Sequence, residues 1–154
     1  MKKINKFKFF LALLFLSGCT NSNDIIIKYS DASLDSNNNI NLKFEANKDF
    51  SNRGSNETGS YIYCALDDTF NVNNGNFEPD ENLNALEGVI SRTEHAKFNK
   101  QTQMYSYNVL LMHTKKPEFS NVKRNINCKV FTAKIFGGLK HSNVIEIPYK
   151  ILAK

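Results

Sequence analysis

Two cysteines, Cys64 and Cys128, lie in apolar strand-like runs, Tyr61-Ile62-Tyr63-Cys64-Ala65-Leu66 and Ile126-Asn127-Cys128-Lys129-Val130. Neither belongs to a CxxC pair or has a histidine nearby, so metal or redox chemistry is not their expected role. In an exported chain an even pair of thiols is expected to form a disulfide. The histidines, His95, His113 and His141, are isolated from one another, and no carboxylate stands at zinc-site spacing from them. Asp67 and Asp68 with Asn71, Asn73, Asn74 and Gly75 form an oxygen-rich stretch that does not fit the register of a calcium-binding loop. The sequence has no GxSxG, SxxK or HExxH motif and no glycine-rich phosphate loop. The expectation is therefore a protein without catalytic residues, metal or cofactor.

The third cysteine has a different context. Lys2, Lys3, Lys6 and Lys8 precede the uncharged apolar run Phe9 to Leu16, and that run stops at Ser17-Gly18-Cys19. Its length is far below the roughly 20 residues that span a bilayer as a helix, and it reads as an export signal. The ending Leu16-Ser17-Gly18-Cys19 resembles the lipobox of bacterial lipoproteins. The resemblance implies cleavage before Cys19, diacylglycerol on its thiol and an acyl chain such as palmitate on its new amino group. Several acyl chains on one residue hold a protein to a bilayer firmly. In enterobacterial lipoproteins Asp after the cysteine favours the inner membrane. Thr20 stands there in this sequence, which implies the periplasmic face of the outer membrane for a Gram-negative host. Residues 1–18 are then a signal peptide, 19–24 a lipidated tether and 25–154 one domain. The five residues Thr20 to Asp24 reach at most about 18 Å, which keeps the domain beside the lipid.

The elements that must position these residues are strands. Ile40, Leu42 and Phe44 alternate with Asn41, Lys43 and Glu45, and Tyr105, Tyr107, Val109 and Leu111 repeat the pattern, as do Ile145, Ile147, Tyr149 and Ile151. With Ile25 to Tyr29, Leu86 to Arg92 and the two cysteine-bearing runs, about seven strands are expected. At Val130-Phe131 the apolar phase switches, which predicts a β-bulge or a strand buried on both faces. Gly137-Gly138 predicts a turn, Pro148 puts the last strand at an edge or a bulge, and one or two helical turns are expected near Asp80 to Leu86. The segments Asn47 to Ser60 and Asp67 to Ala85 read as surface loops. Seven short strands point to an antiparallel all-β sandwich with one disulfide, a small β-barrel being the alternative. The spacing of Cys64 and Cys128 resembles the inter-sheet disulfide of immunoglobulin-like domains, although the chain has no Trp and carries Ile126 where those domains often have Tyr.

The chain of 154 residues has 20 basic and 15 acidic residues, a net charge of +5. Four of those positive charges belong to the signal. From Cys19 to Glu94 there are 5 basic and 13 acidic residues, a balance of −8; from His95 to Lys154 there are 11 and 2, a balance of +9. Either the two parts pair across neighbouring strands, the favoured reading, or they form a dipolar surface with Lys115, Lys116, Lys123 and Arg124 as a basic patch. The compartment, the near-neutral mature chain and the lack of a groove-reading motif exclude nucleic acid as a partner. What remains is a lipid-anchored interaction or structural module with an envelope protein as partner, or else an inhibitor or immunity protein against a wall-degrading or toxic enzyme. For the second, Asp67 to Ala85 is the candidate loop. Tyr63-Cys64 to Phe70-Asn71-Val72 resembles the opening segment of lipoprotein lysozyme inhibitors over a short stretch, with no site residue carried over. A hydrolase with a scattered site is the least expected.

Overall fold

In the order of the chain, nine strands form: β1 (Ile27–Leu34), β2 (Ile40–Ala46), β3 (Glu57–Ala65), β4 (Ala85–Val89), β5 (Lys97–Asn99), β6 (Met104–His113), β7 (Ile126–Lys134), β8 (Leu139–His141) and β9 (Ile145–Ile147). The computed structural model describes residues 25–52, 54–66, 84–90, 96–113, 119, 122–136 and 138–152. The expected helical turns before Leu86 and most of the Asp67 to Ala85 loop lie outside these residues. The fold class read from the sequence is the one found: antiparallel, all-β and with one disulfide. It takes the barrel-like form, a single sheet in the order β1-β2-β6-β4-β3-β7-β8, with β5 also on β6 and β9 also on β7.

The alternation seen in the sequence becomes an inside and an outside. Ile40, Leu42 and Phe44 of β2 face inward beside Leu111, Val109 and Tyr107 of β6, and all are buried. Each such side chain contributes about 1.5–3 kcal/mol by leaving water. Gly88 on β4 also faces inward, where a Cβ would come within 2.4 Å of Val109 Cγ1, so β4 and β6 close together only without a side chain there. On β1 a bulge between Tyr29 and Asp31 shifts the phase, so that both Ile27 and Ala32 are buried. The phase switch at Val130-Phe131 has the other expected cause. The pairing of β7 with β3 runs without interruption through Val130 and Phe131, and both residues are buried because the strand is covered on both faces.

Turns and plugs complete the wall. Asp35 carboxylate oxygens accept from the Asn37 and Asn39 backbone N–H groups and from Asn39 Nδ2, which holds the β1–β2 turn and lowers the Asp35 pKa. Gly138 sits at φ +75° where β7 turns into β8. Between β2 and β3, Phe50 tucks into the barrel end: its N–H donates to Tyr107 Oη at 2.8 Å, and that hydroxyl donates to Lys48 O at 3.0 Å. Lys48 pairs with Glu57 beside it. The polar segment read as a surface loop is thus the plug of one end. After Pro148 the expected last strand ends early, and Tyr149–Ile151 form a 3-10 turn.

Cys64 and Cys128 are bonded, but not between two sheets. They stand opposite each other on the adjacent strands β3 and β7, with Cα atoms 4.0 Å apart and no exposure. The even pair read from the sequence is correct, and the inter-sheet placement drawn from immunoglobulin-like domains is not, because this sheet is continuous through both strands.

The sheet closes along one seam. β1 and β9 run parallel, and Asn143 bridges them: its Oδ1 accepts from Ile27 N–H at 2.7 Å, and its Nδ2 donates to Ile27 O at 3.0 Å. Beside it, Ile25 forms a parallel bridge with Ser142.

Two outcomes follow for stability. Replacing both Cys64 and Cys128 with Ala lowers the unfolding free energy by about 4 kcal/mol for a closed loop of this length, measured by denaturant titration. Asn143→Ala leaves the Ile27 N–H and C=O without partners and costs about 2–3 kcal/mol, with amide exchange at Ile27 rising most.

Candidate functional site

Strand direction sorts the molecule into two ends. The start of β1, the end of β2, the start of β3, the end of β7 and the start of β6 share one rim, here the entry rim, because the chain enters the domain there at Ile25. The end of β1, the end of β3, the end of β6 and the start of β7 share the opposite, far rim.

Of the basic residues singled out in the sequence, Lys123 and Arg124 immediately precede β7 and so stand at the far rim. Lys115 and Lys116 lie outside the described residues, as do Cys19 and His95. His113 ends β6 at the far rim, with Nε2 at 2.9 Å from Asn84 Oδ1. His141 lies on β8, its ring edge against Phe131 with centroids 6.5 Å apart. The fold therefore does not bring these two histidines together. Among the described residues no three His, Cys, Asp or Glu side chains are grouped to hold a metal ion.

Strands of the acidic part do lie beside strands of the basic part, β2 and β4 against β6, and β3 against β7. Across β3 and β7, Glu57 of the acidic part faces Lys134 of the basic part. Both ion pairs among the described residues, Lys43 with Asp31 and Lys48 with Glu57, lie within the acidic part. Elsewhere on the ladder between the two parts, Glu45 stands opposite Ser106, Lys43 opposite Asn108 and Glu87 opposite Met112.

The outer wall of β7, β3 and β4 carries the most unusual chemistry, which the sequence reading did not single out. Register aligns Lys129, Tyr63 and Glu87 in one row across the three strands. Phe131, Tyr61 and Val89 form the next row. Tyr63 and Phe131 pack edge to face at 5.8 Å, and Tyr61 lies 6.4 Å from Tyr63. Lys129 beside this second apolar cluster is 5% exposed, and loss of water pushes its ammonium pKa down. Burial, with the charge of Glu87 next in weight, raises the Tyr63 phenol to about 12. Beside the row, Val89, Leu110 and Met112 are exposed on β4 and β6. An ammonium, a phenol and a carboxylate thus lie in line across three strands, with Lys129 and Tyr63 buried. The signal for this wall was the even-to-odd switch in β7, which marks Phe131 as an outward apolar residue.

On the opposite side an open groove of about 360 Å³ runs over β2, β5 and β6, lined by Ser30, Lys43, Lys97, Ser106 and Asn108 above Phe44 and Tyr107. Its lining offers hydroxyl, amide and ammonium groups, with Ser106 opposite Lys97 on the ladder. No family model, no curated protein and no solved structure matches this chain.

The Tyr63 shift has a sign that can be tested. Its folded pKa lies above its ordinary value of 10.0, so the folded state retains the proton longer than the unfolded chain does. The associated stability is complete below about pH 10 and is lost as pH rises through about 12. Tyr63→Phe should flatten that part of the alkaline stability curve, read by denaturant titration on both sides of pH 10.

Proposed function

We propose that this protein is an envelope lipoprotein, anchored by acyl chains on Cys19 and acting as a protein-interaction or structural module on the periplasmic face of the outer membrane. The observation that carries the reading is the polarity of the barrel. The chain enters at one rim, a short tether away from Cys19, and Lys123 and Arg124 stand at the other. An anchor upstream of Ile25 holds the entry rim toward the lipid and turns the far rim and the side walls to the periplasm. The basic stretch then meets an acidic protein surface rather than the phosphates of the anchoring membrane. Val89, Leu110 and Met112, exposed on β4 and β6, supply apolar area that a protein partner can cover.

Two measurements test this reading. Cells grown with radioactive palmitate should label the wild-type protein and not Cys19→Ser, and persistent labelling of the variant overturns the anchor. Photo-crosslinkers placed at Met112 and at Lys123 in intact cells should recover the same envelope protein by mass spectrometry. Recovery of only lipid and abundant bulk proteins removes the interaction role.

A further inference from the structure

The tip between β7 and β8 projects from the entry rim and is held by its own backbone: Lys134 N–H donates to Gly138 O at 3.3 Å, and Ile135 N–H donates to Asn56 O at 2.8 Å. Ordered in this way, the tip nevertheless presents Phe136 at 77% and Ile135 at 57% exposure, with Leu139 exposed after them. Ile26 and Phe98, at the same rim, are exposed too. Five of the nine exposed large apolar side chains among the described residues thus gather at one end. Lys134 and Lys140 flank the tip, and Lys97 and Lys100 stand beside Phe98. An apolar tip flanked by Lys134, which faces Glu57 across the ladder, and by Lys140, with Lys97 and Lys100 at the same rim, matches an anionic bilayer surface, with hydrocarbon below the headgroups and phosphate at their level.

The direction of the chain gives the distance. β8 runs away from the tip, and Ile25 bridges Ser142 in parallel, so the chain reaches Ile25 travelling from the side of the tip. Phe136 is six residues before Ser142, and Cys19 is six residues before Ile25. Six residues span at most about 20 Å, so an acylated Cys19 and the Phe136 ring can lie at one depth.

We propose that the entry rim is a second membrane contact, in which Phe136, Ile135 and Leu139 enter the outer edge of the hydrocarbon while Lys134 and Lys140 meet anionic lipid headgroups. The orientation of the domain is then set by two points rather than by a free tether. The inference rests on the anchored reading above for its geometry, and its test separates the two.

The sequence has no tryptophan, so Phe136→Trp places the only indole of the full-length protein at the tip, and Leu110→Trp places one on the exposed wall of β6 as a control. Each protein, purified from cell membranes with whatever lipid it carries, is reconstituted into vesicles of phosphatidylethanolamine and phosphatidylglycerol. The expected result is a blue-shifted emission from the tip indole that brominated acyl chains quench, with the wall indole neither shifted nor quenched. The blue shift of the tip indole should be lost when Lys134 and Lys140 are both changed to Glu. An unquenched tip indole in palmitate-labelled, vesicle-bound protein overturns the rim contact and leaves the anchor standing. A quenched tip indole in protein that carries no palmitate supports the rim contact while the anchor fails. A blue shift that depends on protein concentration without vesicles assigns the tip to a second copy of the chain and overturns the proposal.

Discussion

An antiparallel sheet with an odd number of positions cannot close on itself antiparallel. Here the path from β1 to the β8 and β9 pair has seven positions, so the first and last run the same way. Closure has to be parallel, and without a long ladder it rests on the short backbone bridge of Ile25 with Ser142 and on one side chain. Asn143 takes that part by offering a carbonyl and an amide to the two backbone groups of Ile27, much as a neighbouring strand would. The interior depends on this seam. Ile25, Ile27, Ile145 and Ile147 are buried only because β1 and β9 are held together there, and an open edge would expose both apolar side chains and unpaired backbone.

The same seam fixes the polarity of the molecule. It holds Ile25 alongside Ser142 and so brings the start of the domain beside the β7–β8 hairpin. The exposed apolar side chains of that hairpin and the entering chain share a rim as a consequence of topology. The far rim receives Lys123 and Arg124 for the same reason, since β7 starts there. A charge split that is linear in the sequence does not become two facing halves. Interleaving of the strands spreads it, with one acidic residue of the first part, Glu57, facing a basic residue of the second, Lys134.

Much of the fold was legible because burial on one face imposes a period of two. β2 and β6 follow that period over most of their length, whereas the cysteine-bearing strands β3 and β7, buried almost continuously, were legible as apolar runs. The period failed where a local feature breaks it. The bulge at Tyr29 hides the continuation of β1 to Leu34, and β5 and β8 are three-residue strands too short to show alternation. Phe50, a lone aromatic in a polar stretch, gave no periodic signal, since a plug answers to the shape of the barrel end and not to a strand. The candidate wall was half legible: the phase switch in β7 identified Phe131, but the alignment of Lys129, Tyr63 and Glu87 requires the register of three strands.

Residue type, parity and local order were enough to establish the fold class, the pairing of Cys64 with Cys128 and the resemblance of Leu16 to Cys19 to a lipobox. Three features came from the folded chain and from nothing short of it. The disulfide joins neighbouring strands, the basic stretch and the chain entry stand at opposite rims, and Phe136 and Ile135 project beside that entry. These are consequences of which distant strands pair and in which direction they run. Hydrogen bonding between segments far apart in the chain sets them, and no local pattern records it.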